Sequence, residues 1–196
     1  MRLHGDIKLS RSDDMKEVKH YSEYRQNLRK DFVFRCGYCS KIEKLTTTGF
    51  EIDHFVPQKI DRSRECDYSN LVYSCFTCNR KKGGKWPTNS ANLANDGLTG
   101  FVDPVSDEFD KHIGRDESGE IIYYSEIGKY MVEDVFRFQS RPVRLIWKLN
   151  MLIEKRKALS KFIIDSGECE KEEGYLLAKF CMEIEQFSEY IFESRE

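Results

Sequence analysis

The chain has 196 residues, 39% hydrophobic and 34% charged, with 13 Phe and 10 Tyr. That apolar supply excludes wholesale disorder, and the length suits one domain or a small module with an extension. The formal net charge of −2 excludes a strong global attraction to nucleic acid, yet it averages two unlike halves: residues 1–85 carry 18 basic against 12 acidic residues, and residues 86–196 carry 14 against 22.

No apolar run reaches the roughly 20 residues that cross a bilayer. The opening MRLHGDIKLS lacks the apolar centre of an export signal. The expectation is a soluble cytoplasmic protein. Seven cysteines, an odd number, then point to metal ligands before disulfides.

In chain order, residues 12–34 read as a helix. Ser12, Asp13 or Asp14 caps it, and Met15, Val18, Tyr21, Leu28 and Phe32 recur at helical spacing. RCGYCS follows, a Cys-x-x-Cys knuckle with a glycine inside. Residues 40–49 read as a short strand or loop, and FEIDHFVP as a strand that Pro57 helps to end. Residues 58–69 are a polar loop. NLVYS is a short apolar segment leading to a second knuckle, CFTC, and a short helix over 76–82 that Gly83 and Gly84 close.

The back half has a different texture. Residues 111–124 read as a β-hairpin around an ESG turn. A helical pattern starts near residue 128, and Pro142 breaks it and starts a new helix. Val143, Ile146, Leu149, Ile153 and Leu159 mark that helix. Gly167 ends it, and YLLAKFCMEIEQFSEYIF makes a last amphipathic helix, antiparallel to the one before. Cys181 reads as core. The apolar stripes call for packing on the rest of the chain, on a second copy or on a partner. The organisation expected is an N-terminal helical segment 1–35, a core 36–88, and a hairpin plus helical extension 89–196.

Cys36, Cys39, Cys75 and Cys78 form two knuckles, and two knuckles brought together make the tetrahedral thiolate site that Zn²⁺ prefers. A structural zinc is expected; four buried thiols without metal, or a redox pair, are the alternatives. No thioredoxin-like βαβ pattern surrounds either pair, which disfavours redox chemistry. The knuckles lie further apart than in a minimal zinc ribbon. The insert carries Asp53, His54 and Asn70, so the metal would staple both ends of that segment.

CGYC, EIDHFVPQ, SNL and CFTCNRKKGGK, in this order, resemble the HNH endonucleases of the ββα-metal type, over about residues 32–87. The resemblance implies an α+β fold: a small ββα-metal nuclease core stapled by a four-cysteine zinc site, flanked by an N-terminal helix and a C-terminal helical region with a β-hairpin. It implies that His54 is the general base, Asp53 the first ligand of a catalytic Mg²⁺ or Mn²⁺, Asn70 the residue that holds the base-bearing loop, and Asn79 the second ligand. Many members carry His at the position of Asn79; an amide oxygen favours a hard, oxygen-preferring ion.

The chemistry agrees with the residue types. Histidine titrates near neutrality and serves as a base. A hard cation takes carboxylate and amide oxygens and keeps room for water and phosphate. Glu51 shares a strand face with Asp53 and would reach the ion through water. Asp53 and His54 as a plain structural hydrogen-bonded pair remain the bland alternative.

Arg80, Lys81, Lys82 and Lys85, with Lys59 and Arg62 from the preceding loop, read as a phosphate-binding surface. Nothing predicts base readout. The family likeness favours DNA over RNA. The layout of the whole chain is similar to small HNH proteins of bacterial antiphage defence systems such as Septu, in which a separate ATPase commonly controls the nuclease. The competing reading is a zinc-stapled, non-catalytic nucleic-acid-binding or adaptor module.

Overall fold

The computed structural model describes residues 1–46 and 48–193, and the side chains of residues 1–46 and 48–191. The chain divides into two compact units, Met1–Arg141 and Pro142–Glu196. Residues 1–35 and 89–141 therefore belong to the same unit as the expected core, and the division falls at Pro142, beyond residue 88.

The first unit opens without the long helix expected over 12–34. A 3-10 turn at Tyr21–Tyr24 leads into α1, Arg25–Asp31. Residues 12–20 are held instead by side-chain bonds. The Ser12 backbone and hydroxyl both donate to the Asp31 carboxylate, at 2.7 and 2.9 Å, and the Tyr24 hydroxyl donates to the Lys16 carbonyl at 2.8 Å. Such bonds satisfy the backbone outside a helix and compete with it.

β1, Phe50–His54, pairs antiparallel with β2, Leu71–Cys75, in the register Phe50↔Cys75 to His54↔Leu71. α2, Phe76–Lys82, follows β2 without a break. Gly83 ends it with φ +49°, a left-handed value that suits glycine, and its N–H caps the Asn79 carbonyl. Two strands and this helix are the ββα unit the sequence implied. Its first knuckle approaches β2 closely: the Gly37 N–H donates to the Tyr73 carbonyl, and a Cβ on Gly37 would lie 2.9 Å from both Phe32 and Val72. The glycine between the cysteines is thus required by packing.

Around this unit, α3 (Phe109–His112), the hairpin of β3 (Ile113–Arg115) and β4 (Ile121–Tyr123), and α4 (Glu126–Lys129) with a π-helical continuation to Val135 supply further core. Aromatic rings link the parts. Phe101 packs against Trp86, Tyr130 and Phe136, and Phe136 stacks on Tyr38 and Phe138.

The second unit is a pair of long helices, α5 (Val143–Ser166) and α6 (Lys171–Glu193), packed on each other. Gly167, at φ +73°, caps α5, and the short turn makes the pair antiparallel. Cys181, expected in a core, is exposed on α6; a two-helix unit has too little interior to bury both flanks of a helix. No helix among the described residues is long and apolar enough to cross a membrane.

Candidate active site and metal centre

The sulfurs of Cys36, Cys39, Cys75 and Cys78 lie within 4.8 Å of one another, and all four residues are buried. The chain reaches this geometry by a tight first knuckle, where the Ser40 N–H donates to the Cys36 carbonyl, and by the β2–α2 junction, which carries Cys75 and Cys78 on one turn. Four converging thiols in a closed pocket fit a structural zinc.

Two arginines that the sequence did not flag serve this cluster. The Arg141 guanidinium faces Cys78 Sγ at 3.4 Å and Cys75 Sγ at 3.7 Å. Burial would lower its pKa, but the charge on Cys78, Cys39 and Cys75 outweighs this and raises it. A fixed cation there favours thiolates and offsets the negative charge of a zinc–tetrathiolate. Arg115, 1% exposed, donates to the carbonyls of Cys39, Gly119 and Leu3 and ties the first knuckle to the β3–β4 hairpin and the N-terminus. Burial lowers its pKa to about 10, so it stays charged.

The stapled segment displays its polar residues on two faces. Successive side chains of a strand alternate. Glu51 and Asp53 therefore share one face of β1 and His54 takes the other. α2 lies on the Glu51–Asp53 face. Asn79 donates through Nδ2 to Glu51 at 2.6 Å, and Arg80 reaches the same carboxylate at 3.3 Å. One turn on, Lys82 Nζ lies 3.1 and 3.0 Å from the two Asp53 oxygens and 2.7 Å from the His54 carbonyl. The Tyr38 hydroxyl donates to Asp53 at 2.5 Å.

Two expectations change here. Lys82 is 0% exposed, so it does not belong to the phosphate-binding surface; it is the internal counter-ion of Asp53. The helix period explains this, because residues 79 and 82 share one face, the face turned to β1. And the direct carboxylate partner of Asn79 is Glu51, whereas Asp53 is held by Lys82 and Tyr38. Burial pushes the Asp53 carboxyl up, opposed by Lys82; burial pushes the Lys82 ammonium down, opposed by Asp53. Their mutual attraction opposes that penalty in both groups.

On the opposite face, His54 meets the loop before β2. Its Nε2 lies 2.9 Å from the Glu65 carbonyl, and the edge of Tyr21 packs on the ring at 4.7 Å. A carbonyl only accepts, so Nε2 carries the hydrogen and Nδ1 holds the lone pair in the neutral ring. Asn70, 1% exposed, clamps this region. Its Oδ1 accepts from the Val56 N–H at 2.8 Å, and its Nδ2 donates to the Val56 and Arg64 carbonyls. Asn70 thereby holds both the chain just after His54, at Val56, and the residue before its partner carbonyl, Arg64.

Residues 36–85 match the family model of the HNH endonuclease. They form an HNH endonuclease domain. No curated protein and no solved structure matches the chain. Within the HNH domain the remaining basic residues stay at the surface. Arg80 is exposed and stacks over the Phe76 ring, Lys85 and Arg62 are exposed, Lys81 is half-buried, and Lys59 is exposed with its stem across Gly84. A Cβ on Gly84 would lie 2.9 Å from the far end of that flexible stem.

The hard oxygen donors of Glu51, Asp53 and Asn79 suit a divalent cation chemically. Lys82 carried a sequence signal, its spacing from Asn79. Arg141 and the Glu65 carbonyl carried none, since neither sits in a local pattern with its partner.

Proposed function

We propose that the HNH domain is a metal-dependent phosphodiester hydrolase acting on nucleic acid, with DNA the favoured substrate. His54 is the general base through Nδ1. The bond from its Nε2–H to the Glu65 carbonyl is the observation that carries the reading. It fixes the tautomer, orients the ring and stabilises the imidazolium formed when Nδ1 takes a proton from water. Asn70 holds the loop in that position.

Asp53 and Asn79, with Glu51 beside Asn79, would hold Mg²⁺ or Mn²⁺. Bound there, the ion would neutralise phosphate charge and assist the leaving oxygen. Lys82 would then share Asp53 with the ion. Arg80, Lys81, Lys85, Lys59 and Arg62 would supply backbone contacts without sequence information. Control of the nuclease by a partner, such as a regulatory ATPase of a defence system, belongs to the same proposal.

The test uses the full chain with Mg²⁺ or Mn²⁺ on supercoiled DNA and on RNA. His54→Ala should lower cleavage about 10²–10⁴-fold, with zinc content and far-UV circular dichroism unchanged. Cleavage at the wild-type rate by His54→Ala would sink the assignment.

A second reading has one observation in its favour: Asp53 already has a buried counter-ion. If Lys82 never yields, the domain is a zinc-stapled nucleic-acid-binding module. Manganese titration followed by electron paramagnetic resonance separates the two. A bound ion lost in both Asp53→Asn and Asn79→Ala supports the hydrolase; no bound ion with zinc retained supports the module.

A further inference from the structure

The helix pair of the second unit is half of a core. Among the described residues its buried side chains are Val143, Ile146, Leu149 and Ile191, all at the Pro142 end. Along the rest of both helices the apolar positions are only half-buried or exposed. α6 shows why. Leu177, Ile184 and Ile191 form one stripe with heptad spacing, the more buried one, which suits the seam with α5. Leu176, Phe180, Phe187 and Tyr190 form a second stripe one residue round, and its end members are 41% and 65% exposed. α5 adds Phe162, 59% exposed, beside the turn at Gly167. A helix of a hairpin buries one seam; a helix of a four-helix bundle buries two. Units this small, below roughly 70–80 residues, seldom close a sufficient core alone.

Charge indicates the occupant. α5 carries six basic residues (Arg144, Lys148, Lys155, Arg156, Lys157, Lys161) against Glu154 and Asp165, a balance of +4. α6 carries Lys171 and Lys179 against six glutamates, a balance of −4. Lys155 and Lys161 on α5, and Glu185 and Glu189 on α6, are exposed and free to meet the opposite charge of another copy. A two-fold arrangement sets α5 of one chain beside α6 of the other, and each contact is made twice.

We propose that the open face of α5 and α6 binds the same face of a second copy, giving an antiparallel four-helix bundle and a homodimer. This is independent of the catalytic reading.

Sedimentation equilibrium of the full chain tests it. The wild type should be a dimer, and raising the salt should weaken the dimer as charges are screened. Leu176→Glu with Tyr190→Glu should weaken association at least tenfold with helical content unchanged, since both side chains are exposed. Lys155→Glu/Lys161→Glu in one chain, and Glu185→Lys/Glu189→Lys in another, should each weaken self-association, and the two mixed should associate more tightly than either alone. A wild-type monomer at every soluble concentration would overturn the proposal, including one that captures a different chain. A dimer indifferent to both the apolar and the charge variants would overturn it as well.

Discussion

In Met1–Arg141 the buried set includes Arg115, Lys82, Asp53 and Asn70 beside its aromatic rings; in Pro142–Glu196, among the described residues, it consists of four aliphatic side chains. The first unit buries charge and backbone clamps around four cysteines. The second spreads apolar residues at helical spacing with almost nothing enclosed. Buried charge is costly unless each group has its partner, so the first unit tolerates few substitutions inside. The helix pair, among its described residues, encloses no fully buried charged side chain.

Removing zinc is the largest test of this contrast. Structural zinc contributes on the order of 10 kcal/mol of folding free energy. Chelation, or Cys78→Ser, should abolish the near-UV circular dichroism of the aromatic core while much of the 222 nm helical signal persists. An unchanged near-UV spectrum after zinc loss would show that the thiols, and not the metal, hold the unit.

Lys82→Met comes next. It leaves Asp53 buried without its counter-ion and should cost about 3–5 kcal/mol in urea unfolding. Adding Asp53→Asn should recover much of that loss. If the double variant is no better than the single, the pair is not the reason for the loss. Asn70→Ala removes the clamp on Val56 and should cost about 1–3 kcal/mol, with a parallel drop in any cleavage activity. Stability loss without a change in activity would separate Asn70 from the orientation of His54.

The smallest effect is a pH slope. His4 is buried against Phe109, and its Nε2 bonds the Gly37 carbonyl. Burial and the nearby Arg35 lower its pKa to about 3 from 6.5. The unfolded chain therefore binds a proton that the folded chain refuses between those values, and stability falls as pH falls below 6.5. The slope approaches about 1.4 kcal/mol per pH unit. His4→Phe should flatten the urea midpoint between pH 6.5 and 5, a range in which zinc retention is checked in parallel. An unchanged slope would assign the acid sensitivity to other groups.

Much of this was legible locally. β1 and α2 stand where alternation, the knuckle and the two glycines put them, the short apolar segment before the second knuckle is β2, and α5 and α6 follow from Pro142, Gly167 and the helical period. The helix expected over 12–34 is helical only over Tyr21–Asp31, and before it Asp31, distant in sequence, takes the donors of Ser12. The apolar neighbours of Cys181 predict a core position, but the helix has more apolar surface than the unit has interior, and Cys181 is exposed.

The spacing of Cys36, Cys39, Cys75 and Cys78, the adjacency of Asp53 and His54, and Asn70 and Asn79 in order are properties of the sequence, because each depends on neighbours along the chain. They were enough to indicate a stapled ββα domain of the HNH kind. The tertiary structure alone decided that Lys82 turns inward to Asp53, that Glu51 meets Asn79, that the Glu65 carbonyl holds His54, and that Arg141 faces the cysteines. Those pairings join a buried charge or a backbone carbonyl to a group that only folding brings within hydrogen-bond reach. Short-range pattern records which faces are apolar; it does not record which charge is waiting on the other side of the core.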